Sequence, residues 1–498
     1  MKKRIIALLL MFALSVTVLA ACQNGNDNSQ NDQSAGSQAE STAVSVDPNA
    51  GWKDENGNWK PKHEVKDLSD KTFRIIVRGT SAITYQSDDF TYGEANDDGL
   101  YGENLDNAVK DRNNRVEEIY HVTLEVDKNN SINDAIRNDI EASTGDYDAI
   151  MPTLSVLATL ASEDKLVDLN TIENFDIYAP WYDKNATDAF SIANHVYFTT
   201  GDITILNKVC SPSVLFNKDM ITTYHLDNPY QLVRDKEWTF DKMMSMAKQV
   251  AIDNGDFEKN VYGMVTDFGD PFNFLGGSGE KIIEKDENDL PYLNIGNARS
   301  VSIAQHILDT YAAGDTYLIH AHECPDPIWT TSLAVFGEGR ALFRPSAFSA
   351  TTKLRKQSVI EFGIVPLPLM DETQEDYVSY CGTGEVAGIA IPTSAPDYDF
   401  SAYMIDAYSA YAKIYITHAY TDINLYQRDA RDDESEEMLD IIFSHIAYDM
   451  GECYNIGGYK STFYELCKLR STDLQSKLSS VEESAKSKIQ EIIDDFGR

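Results

Sequence analysis

The densest cluster of residues that could coordinate a metal is the run His320-Ala321-His322-Glu323-Cys324. Imidazole, carboxylate and thiolate groups all bind zinc, and two histidines separated by one residue point to the same face of a strand. A structural zinc site uses four such ligands. No second, distant ligand pair is apparent in the sequence, so we expect neither a metal nor another cofactor.

Other motifs of ion binding and catalysis are incomplete. The stretch from Asp127 begins like a calcium loop, but Ile132 stands where the loop requires glycine and Asn138 replaces its terminal glutamate. The glycine-rich run 276–281 lacks the Lys-Ser/Thr pair of a phosphate-binding loop, and neither a Gly-x-Ser-x-Gly nor a His-Glu-x-x-His motif occurs. We therefore predict that the protein is not an enzyme.

A secreted glycan-acting hydrolase is the main alternative. A glycosidase needs two carboxylates about 5 to 9.5 Å apart across a cleft. The chain has 80 acidic residues, so some pair would meet that spacing by chance, and the sequence alone cannot apply the criterion.

The amino terminus has the pattern of a lipoprotein export signal. Lys2, Lys3 and Arg4 precede an apolar run over residues 5–19, which is shorter than the roughly 20 residues of a membrane span. The following Leu19-Ala20-Ala21-Cys22 resembles the bacterial lipobox. The resemblance implies cleavage before Cys22 and acylation of its thiol, so we expect residues 1–21 to be a signal peptide and the mature protein to be anchored on the outer face of the cell membrane.

The segment after Cys22 is predicted to be a disordered tether. Residues 23–50 contain no Lys, Arg or aromatic residue, and such a composition buries too little apolar surface to fold. At about 5 to 6 Å times the square root of its length, the tether would hold the folded body roughly 30 Å from the bilayer. We place the lipidated cysteine and its tether over residues 22–65.

Charge and cysteine content restrict the partners. The chain carries 80 acidic against 42 basic residues, a formal net charge of −38, which repels phosphate backbones and argues against nucleic acid. Besides Cys22 there are five cysteines at irregular spacing, which does not indicate a disulfide framework. We expect them to be small apolar core residues with at most one or two disulfide bridges among them.

The order of elements predicts an α/β protein. Strands over 73–78, 122–126 and 147–151 alternate with helices near 105–120 and 132–142, which favours a mostly parallel sheet with helices on both faces. Apolar residues from Leu474 to Phe496 recur every three or four positions, so a last helix should pack on the body. A mature body of this length exceeds one core, which predicts two lobes.

Four local patterns resemble the bacterial extracellular solute-binding proteins of the sugar-binding, maltose-binding-protein-like family. In chain order they are Ser213-Val214-Leu215-Phe216-Asn217-Lys218-Asp219, Glu237-Trp238-Thr239-Phe240-Asp241, the run from Ala334 to Phe343, and Phe362-Gly363-Ile364-Val365-Pro366-Leu367-Pro368. The resemblance covers nearly everything from Lys71 to the end. It implies a two-lobed periplasmic-binding-protein-like fold of type II topology with a ligand cleft between the lobes.

The resemblance also implies lobe bounds and ligand contacts. We expect lobe 1 over 66–210 plus 341–384, and lobe 2 over 211–340 plus 385–498. Positions that match ligand-facing places of the family are Pro152, Thr153, Phe272, Asn273, Phe274, Arg344, Phe348, Tyr380 and Thr383. Phe and Pro stand where the maltose-binding pattern has Tyr and Trp, which favours a smaller or differently shaped ligand than maltodextrin. We interpret Trp238 as structural because it lies beside the N-cap of a helix.

The sequence thus predicts the substrate-binding lipoprotein of an ABC importer. It would capture a small solute, a mono- or oligosaccharide, as a monomer and deliver it to permease subunits in the same membrane. A solute-sensing surface receptor without its own importer would share the fold, and is the second alternative.

Overall fold

The structure is a computed structural model that describes residues 49–79, 88–93, 102–313, 318–319, 324–421 and 433–497. The signal peptide, Cys22 and the run His320 to Glu323 lie outside the described residues. Residues 49–498 form one compact unit.

The described elements alternate between strands and helices. The strands are β1 (Thr72–Arg78), β2 (Thr123–Asn129), β3 (Ala149–Met151), β4 (Pro212–Asn217), β5 (Tyr262–Val265), β6 (Ile283–Lys285), β7 (Pro291–Leu293), β8 (Leu318–Ile319), β9 (Ala341–Ala347), β10 (Phe362–Val365), β11 (Ser379–Tyr380) and β12 (Ile446–Ala447). The helices are α1 (Glu103–Tyr120), α2 (Ile132–Ala142), α3 (Leu154–Ser162), α4 (Lys184–Phe190), α5 (Leu206–Val209), α6 (Lys218–Thr223), α7 (Pro229–Arg234), α8 (Phe240–Val250), α9 (Asp270–Gly277), α10 (Ala298–Ala312), α11 (Ile328–Gly337), α12 (Ala350–Gln357), α13 (Tyr398–Ala412), α14 (Asp433–Ser444), α15 (Met450–Cys453), α16 (Tyr459–Lys468) and α17 (Leu474–Phe496).

The first lobe is built on a parallel sheet in the order β2-β1-β3. Its central strand β1 is buried from Ile75 to Arg78, as expected for a strand covered on both faces. Helix α13 covers one face, where Tyr408 stacks on Phe73 with ring centroids 5.4 Å apart. The predicted strands, helices and parallel pairing of this region are confirmed.

The second lobe is built on a mixed sheet in the order β10-β4-β9-β5-β8. Strand β5 runs parallel to β8 and β9, and β4 runs antiparallel to β9 and β10. The carboxyl ends of β5, β8 and β9 therefore lie at one edge, the edge where open α/β sheets bind ligands.

The strand pairing differs from the expected division of the chain. Residues 341–347 and 362–365, which the expected bounds assign to lobe 1, pair in the second sheet beside β4. Residues 387–390, assigned to lobe 2, form antiparallel bridges with Ile150, Thr153 and Thr199 of the first lobe. The chain therefore returns to the first lobe after β11. The hydrophobic pattern of a sequence indicates where strands lie but not which sheet each strand joins. The motifs therefore could not locate the point at which the chain returns to the first lobe.

The amino-terminal residues of the expected tether also differ from the prediction. Residues 49–65 pack along the first lobe, where Trp52 meets Trp181 edge to face at 5.0 Å. Only 8% of Trp52 is exposed. Aromatic residues make this part of the tether foldable, whereas residues 23–50 contain none.

The lobes meet through aromatic side chains and the last helix. Phe190 and Tyr197 of the first lobe contact Tyr448 and Phe496 of the second at 5.6 and 5.1 Å between ring centroids. The apolar face of α17, including Ala485, is buried as its periodicity predicts. Among the described residues, no helix is both long and apolar enough to span a bilayer.

Candidate functional site

A cavity of about 330 Å³ lies between the lobes, beside the segment that connects them. It is lined by Ser155, Thr159, Ile282, Gly384, Gly451, Glu452, Cys453, Tyr454, Asn455, Tyr459, Lys460 and Ser461. Hydroxyl, amide, carboxylate and ammonium groups thus converge on it beside tyrosine rings. A larger cavity of about 760 Å³ lies between the amino-terminal segment and α13. That cavity involves the first lobe alone. Other cavities between the lobes, of about 450 and 250 Å³, have no residue of α3 in their lining. We take the 330 Å³ cavity as the candidate site because it lies at the start of α3, just after the carboxyl end of β3, where open α/β sheets bind ligands.

The first-lobe wall is the start of α3. Pro152 ends β3, and Thr153 is the N-cap, its side-chain oxygen accepting from the Val156 amide at 3.4 Å. Ser155 and Thr159 are four residues apart and therefore share a face of the helix, the face that lines the cavity.

Thr383 connects this wall to the rest of the site. Its hydroxyl lies 3.1 Å from the Ser155 hydroxyl, and its carbonyl accepts from the Ser155 amide at 3.4 Å. Its own amide donates to the Glu452 carboxylate at 3.2 Å. One residue of the connecting segment therefore contacts groups from both lobes.

The second-lobe wall centres on Glu452 of α15. Its carboxylate accepts from Tyr380 Oη at 2.8 Å and from Lys460 Nζ at 2.5 Å. The side chain of Glu452 is 8% exposed and that of Lys460 is 44% exposed. A nearly buried carboxylate is stable here because these donors satisfy it. The ammonium of Lys460 has three N–H donors, so it can also donate a hydrogen bond to a ligand in the cavity.

Helix α15 is fixed by Asp449, its N-cap. The Asp449 carboxylate accepts from the Gly451 amide at 2.7 Å and from the Ile282 amide at 2.5 Å. Burial raises the pKa of Asp449 to about 7, although these backbone amides lower it. The same carboxylate therefore positions both Glu452 and the backbone that leads into β6.

Tyr380 is held by close packing against α9. Its ring lies 5.7 Å from the ring of Phe272, and a Cβ at Gly276 would lie 2.2 Å from the Tyr380 ring. Only glycine therefore permits this approach of the ring to the helix. The Tyr454 hydroxyl is buried at the cavity, and no group in the described ranges forms a hydrogen bond with it.

Several of the sequence-predicted residues come together at this cavity. Pro152 and Thr153 lead into the first-lobe wall. Tyr380 donates to Glu452 of the second-lobe wall, Thr383 bonds to Ser155 and Glu452, and the ring of Phe272 packs against that of Tyr380. None of these five is itself a lining residue. They form the layer that positions Ser155 and Glu452.

The other predicted residues lie elsewhere. Phe274 packs in the core against Phe240 at 5.2 Å, and Phe348 packs against Phe443 at 5.9 Å. Asn273, between two buried aromatics of α9, is partly buried and does not line the cavity.

Arg344 is wholly buried on β9, and its Nη1 donates to Asp270 at 2.9 Å. Burial raises the pKa of Asp270 to about 7, a nearby Asp267 adds to the rise, and Arg344 opposes it. This ion pair belongs to the interior of the second lobe, apart from the cavity.

Sequence reasoning missed the lining residues themselves. Ser155 and Thr159 carry a usable signal, since they follow the predicted Pro152-Thr153 at helical spacing. Glu452 lies in the short helix α15 and Lys460 in the first turn of α16, about 300 residues further on, and nothing in the sequence pairs them with α3.

The remaining candidates for chemistry are structural or lie outside the description. Trp238 is fully buried, as expected, and its Nε1 donates to the Pro366 carbonyl at 2.9 Å. Trp181 is fully buried too. Cys210, Cys324, Cys381, Cys453 and Cys467 are buried free thiols, which confirms the expectation for the cysteines. Across the described ranges, no three His, Cys, Asp or Glu side chains cluster as metal ligands, and His320 to Glu323 fall in a gap.

Comparisons with known proteins identify the fold. No family model and no curated protein matches the sequence. Three solved structures match in fold over 86% of this chain. A cyclo/maltodextrin-binding protein with maltotetraose has a TM-score of 0.57 and 12% identity, with 99% of its chain covered. The GacH receptor of Streptomyces glaucescens, solved free and with acarbose, has a TM-score of 0.52 and 11% identity, with 100% of its chain covered. The ABC substrate-binding protein Lmo0181 from Listeria monocytogenes, in complex with cycloalternan, has a TM-score of 0.50 and 15% identity, also with 100% of its chain covered.

At these identities the likeness is one of fold. The chain has the two-lobed α/β fold of periplasmic sugar-binding proteins.

Proposed function

We propose that this chain is the substrate-binding lipoprotein of an ABC importer, which captures a small carbohydrate between its lobes without changing it chemically. The observation that carries the proposal is the polar cavity between two lobes of this fold, with hydroxyls from α3 on one wall and Lys460 on the other. Sugars present many hydroxyls and apolar C–H faces, which such walls and tyrosine rings suit. A volume of about 330 Å³ favours a mono- or disaccharide over a long oligosaccharide.

Capture without hydrolysis is favoured by the carboxylates of the site. Among the described lining residues, Glu452 is the only carboxylate, and three donors already occupy it. A glycosidase requires two carboxylates facing each other across the substrate.

The test is a thermal-shift and calorimetry screen of residues 49–498 against mono- and disaccharides, longer oligosaccharides, polyols and amino acids. A ligand at 100 times its Kd adds about 2.7 kcal/mol to stability. We expect a saccharide to stabilise the protein and to be recovered intact. Hydrolysis products, or stabilisation by amino acids alone, would contradict the proposal.

A cavity-filling variant ties the binding to this site. Gly384 lines the cavity, and a Cβ at this position would have no neighbour within 4 Å. Gly384→Leu should therefore fold normally and abolish saccharide binding. The matched control is Ser245→Leu, on an exposed position of α8, which should bind as the native protein does. Equal affinities in the two variants would place the ligand elsewhere.

Membrane anchoring is proposed through the acylated Cys22, and delivery through docking on permease subunits in the same membrane. Two or three acyl chains anchor stably where one does not. Cys22→Ser should move the protein from the membrane fraction to the soluble fraction, and crosslinking in intact cells should capture a permease. Deletion without an uptake defect would favour the surface-receptor alternative.

A further inference from the structure

A β-hairpin of the second lobe reaches across to the first lobe. Its strands β6 and β7 are antiparallel, and its tip spans residues 286–290. The Asp289 carbonyl accepts from the Ala193 amide at 3.0 Å. The Asp289 carboxylate accepts from the Asn194 amide and the Ser191 hydroxyl, each at 2.9 Å. One residue of the tip therefore binds the turn that follows α4 in the first lobe.

Lys285, at the end of β6, adds a second set of contacts. Its ammonium donates to the Ser191 carbonyl at 3.0 Å, to the Ser191 hydroxyl at 2.7 Å and to the Asp188 carbonyl. It also pairs with Asp289 at 2.5 Å, and each of these two side chains is 18% exposed. Apart from Asp289, these partners of the ammonium are all first-lobe groups. If the lobes moved apart, the ion pair would lose all of these first-lobe partners at once.

The hairpin tip is shaped before it meets the first lobe. The Asp286 carboxylate accepts from the amides of Asn288 and Leu290 at 2.9 and 3.0 Å, and these amides lower the pKa of Asp286. Asp289 has a left-handed φ of 62°, a conformation that Asp and Asn tolerate. The tip is thus a preformed turn that can dock and release as a unit.

We propose that Lys285 and Asp289 are positioning residues that act as a closure latch. They hold the hairpin on residues 188–195 while the lobes enclose the cavity, and they release it when the lobes part. The inference rests on the proposed function, since only a closing receptor has a use for such a latch. Apparent affinity is the intrinsic affinity multiplied by the closed fraction, so a weaker latch raises the apparent Kd without any contact to ligand.

The experiment measures the distance between the lobes in the ligand-free protein. In residues 49–498, spin labels are placed on Lys110→Cys of α1 and Ser245→Cys of α8, both exposed, while the five native cysteines of this fragment are buried. We compare the native latch with Lys285→Met and Asp289→Asn, the latter keeping a residue that tolerates the left-handed φ. Glu287→Gln, at the exposed tip, is the matched control for loss of one carboxylate.

We expect Lys285→Met to increase the population at longer distance at least threefold, Asp289→Asn to have a smaller effect, and Glu287→Gln none. Hydrogen exchange at the Ala193 and Asn194 amides should quicken in the same order. Native distances in both latch variants would overturn the inference, and if Lys285→Met does not fold, Asp289→Asn decides alone. Because no ligand is used, failure of the saccharide screen would overturn the proposed function and leave this result standing.

Discussion

The hydroxyl oxygens of Ser155 and Thr383 lie 3.1 Å apart, which links the helix after the third strand to the segment connecting the lobes. The amide of Thr383 reaches Glu452 of the second lobe. One buried threonine therefore bonds to groups on both walls of the cavity. In this arrangement the residues that shape the site are distinct from those that line it.

The first prediction concerns the first-lobe wall. Ser155→Ala removes a lining hydroxyl and leaves Thr383 without that partner, so saccharide affinity should fall by about 1 kcal/mol, roughly fivefold in Kd. Calorimetry with the saccharide found in the screen measures the loss. Ser162→Ala on the same helix removes a hydroxyl that donates to the Ala158 carbonyl and does not line the cavity. This control should keep native affinity, and an equal loss in both variants would mean that the helix, not the hydroxyl, is responsible.

The second prediction tests the structural role of Trp238. Trp238→Phe deletes the bond to the Pro366 carbonyl and leaves that buried acceptor unpaired, which should reduce the free energy of unfolding by about 1 to 3 kcal/mol. Urea denaturation measures this. Trp329→Phe, at a partly buried position, should cost much less. Saccharide affinity should stay unchanged in both, and a selective loss of affinity in Trp238→Phe would assign it to the site after all.

The fold was largely predictable because its signals are local. The Thr239 N-cap, whose oxygen accepts from the Lys242 amide at 3.1 Å, and the apolar stripe of α17 each follow from residues within one or two turns. The lobe bounds depend on which sheet a strand joins. Strand β9 pairs with β4, more than 120 residues earlier, and no local pattern encodes that choice.

The site was predictable only in part for the same reason. Thr383 was expected near the cleft, and its hydroxyl lies beside that of Ser155 in the cavity wall. No sequence pattern predicts that Tyr380 and Lys460 donate hydrogen bonds to the carboxylate of Glu452. Arg344 stands after a strand where a ligand contact was expected. Its guanidinium instead pairs with Asp270 inside the lobe, because burial of an arginine requires a counter-charge.

The third prediction concerns the thiols. Burial raises the pKa of Cys381 well above its usual value, and the five described cysteines are all buried and unpaired. A thiol reagent should therefore label the native fragment 49–498 very slowly and label five cysteines after denaturation. Reductant should leave Tm unchanged. A drop in Tm on reduction, or fewer than five labelled thiols, would reveal a disulfide instead.

The last prediction is the pH dependence of stability at Asp449. Its pKa of about 7 in the folded protein exceeds the ordinary aspartate pKa of about 3.9, so between these values the folded protein holds a proton that the unfolded chain has lost. The contribution of this group is complete below pH 4 and is lost as pH rises toward 7, at up to about 1.4 kcal/mol per pH unit.

Asp449→Asn should therefore flatten the fall of unfolding free energy between pH 5 and 7, measured by urea denaturation at several pH values. The side chain of Asp256 is 43% exposed, and the bond from Lys259 lowers its pKa, so Asp256→Asn should leave the slope in this range as it is. The substitution also replaces the carboxylate that accepts from the backbone amides of Gly451 and Ile282. The variant should therefore be less stable than the native protein at every pH. Parallel curves for the native protein and Asp449→Asn would show that this carboxylate titrates normally, and that the backbone amides outweigh its burial.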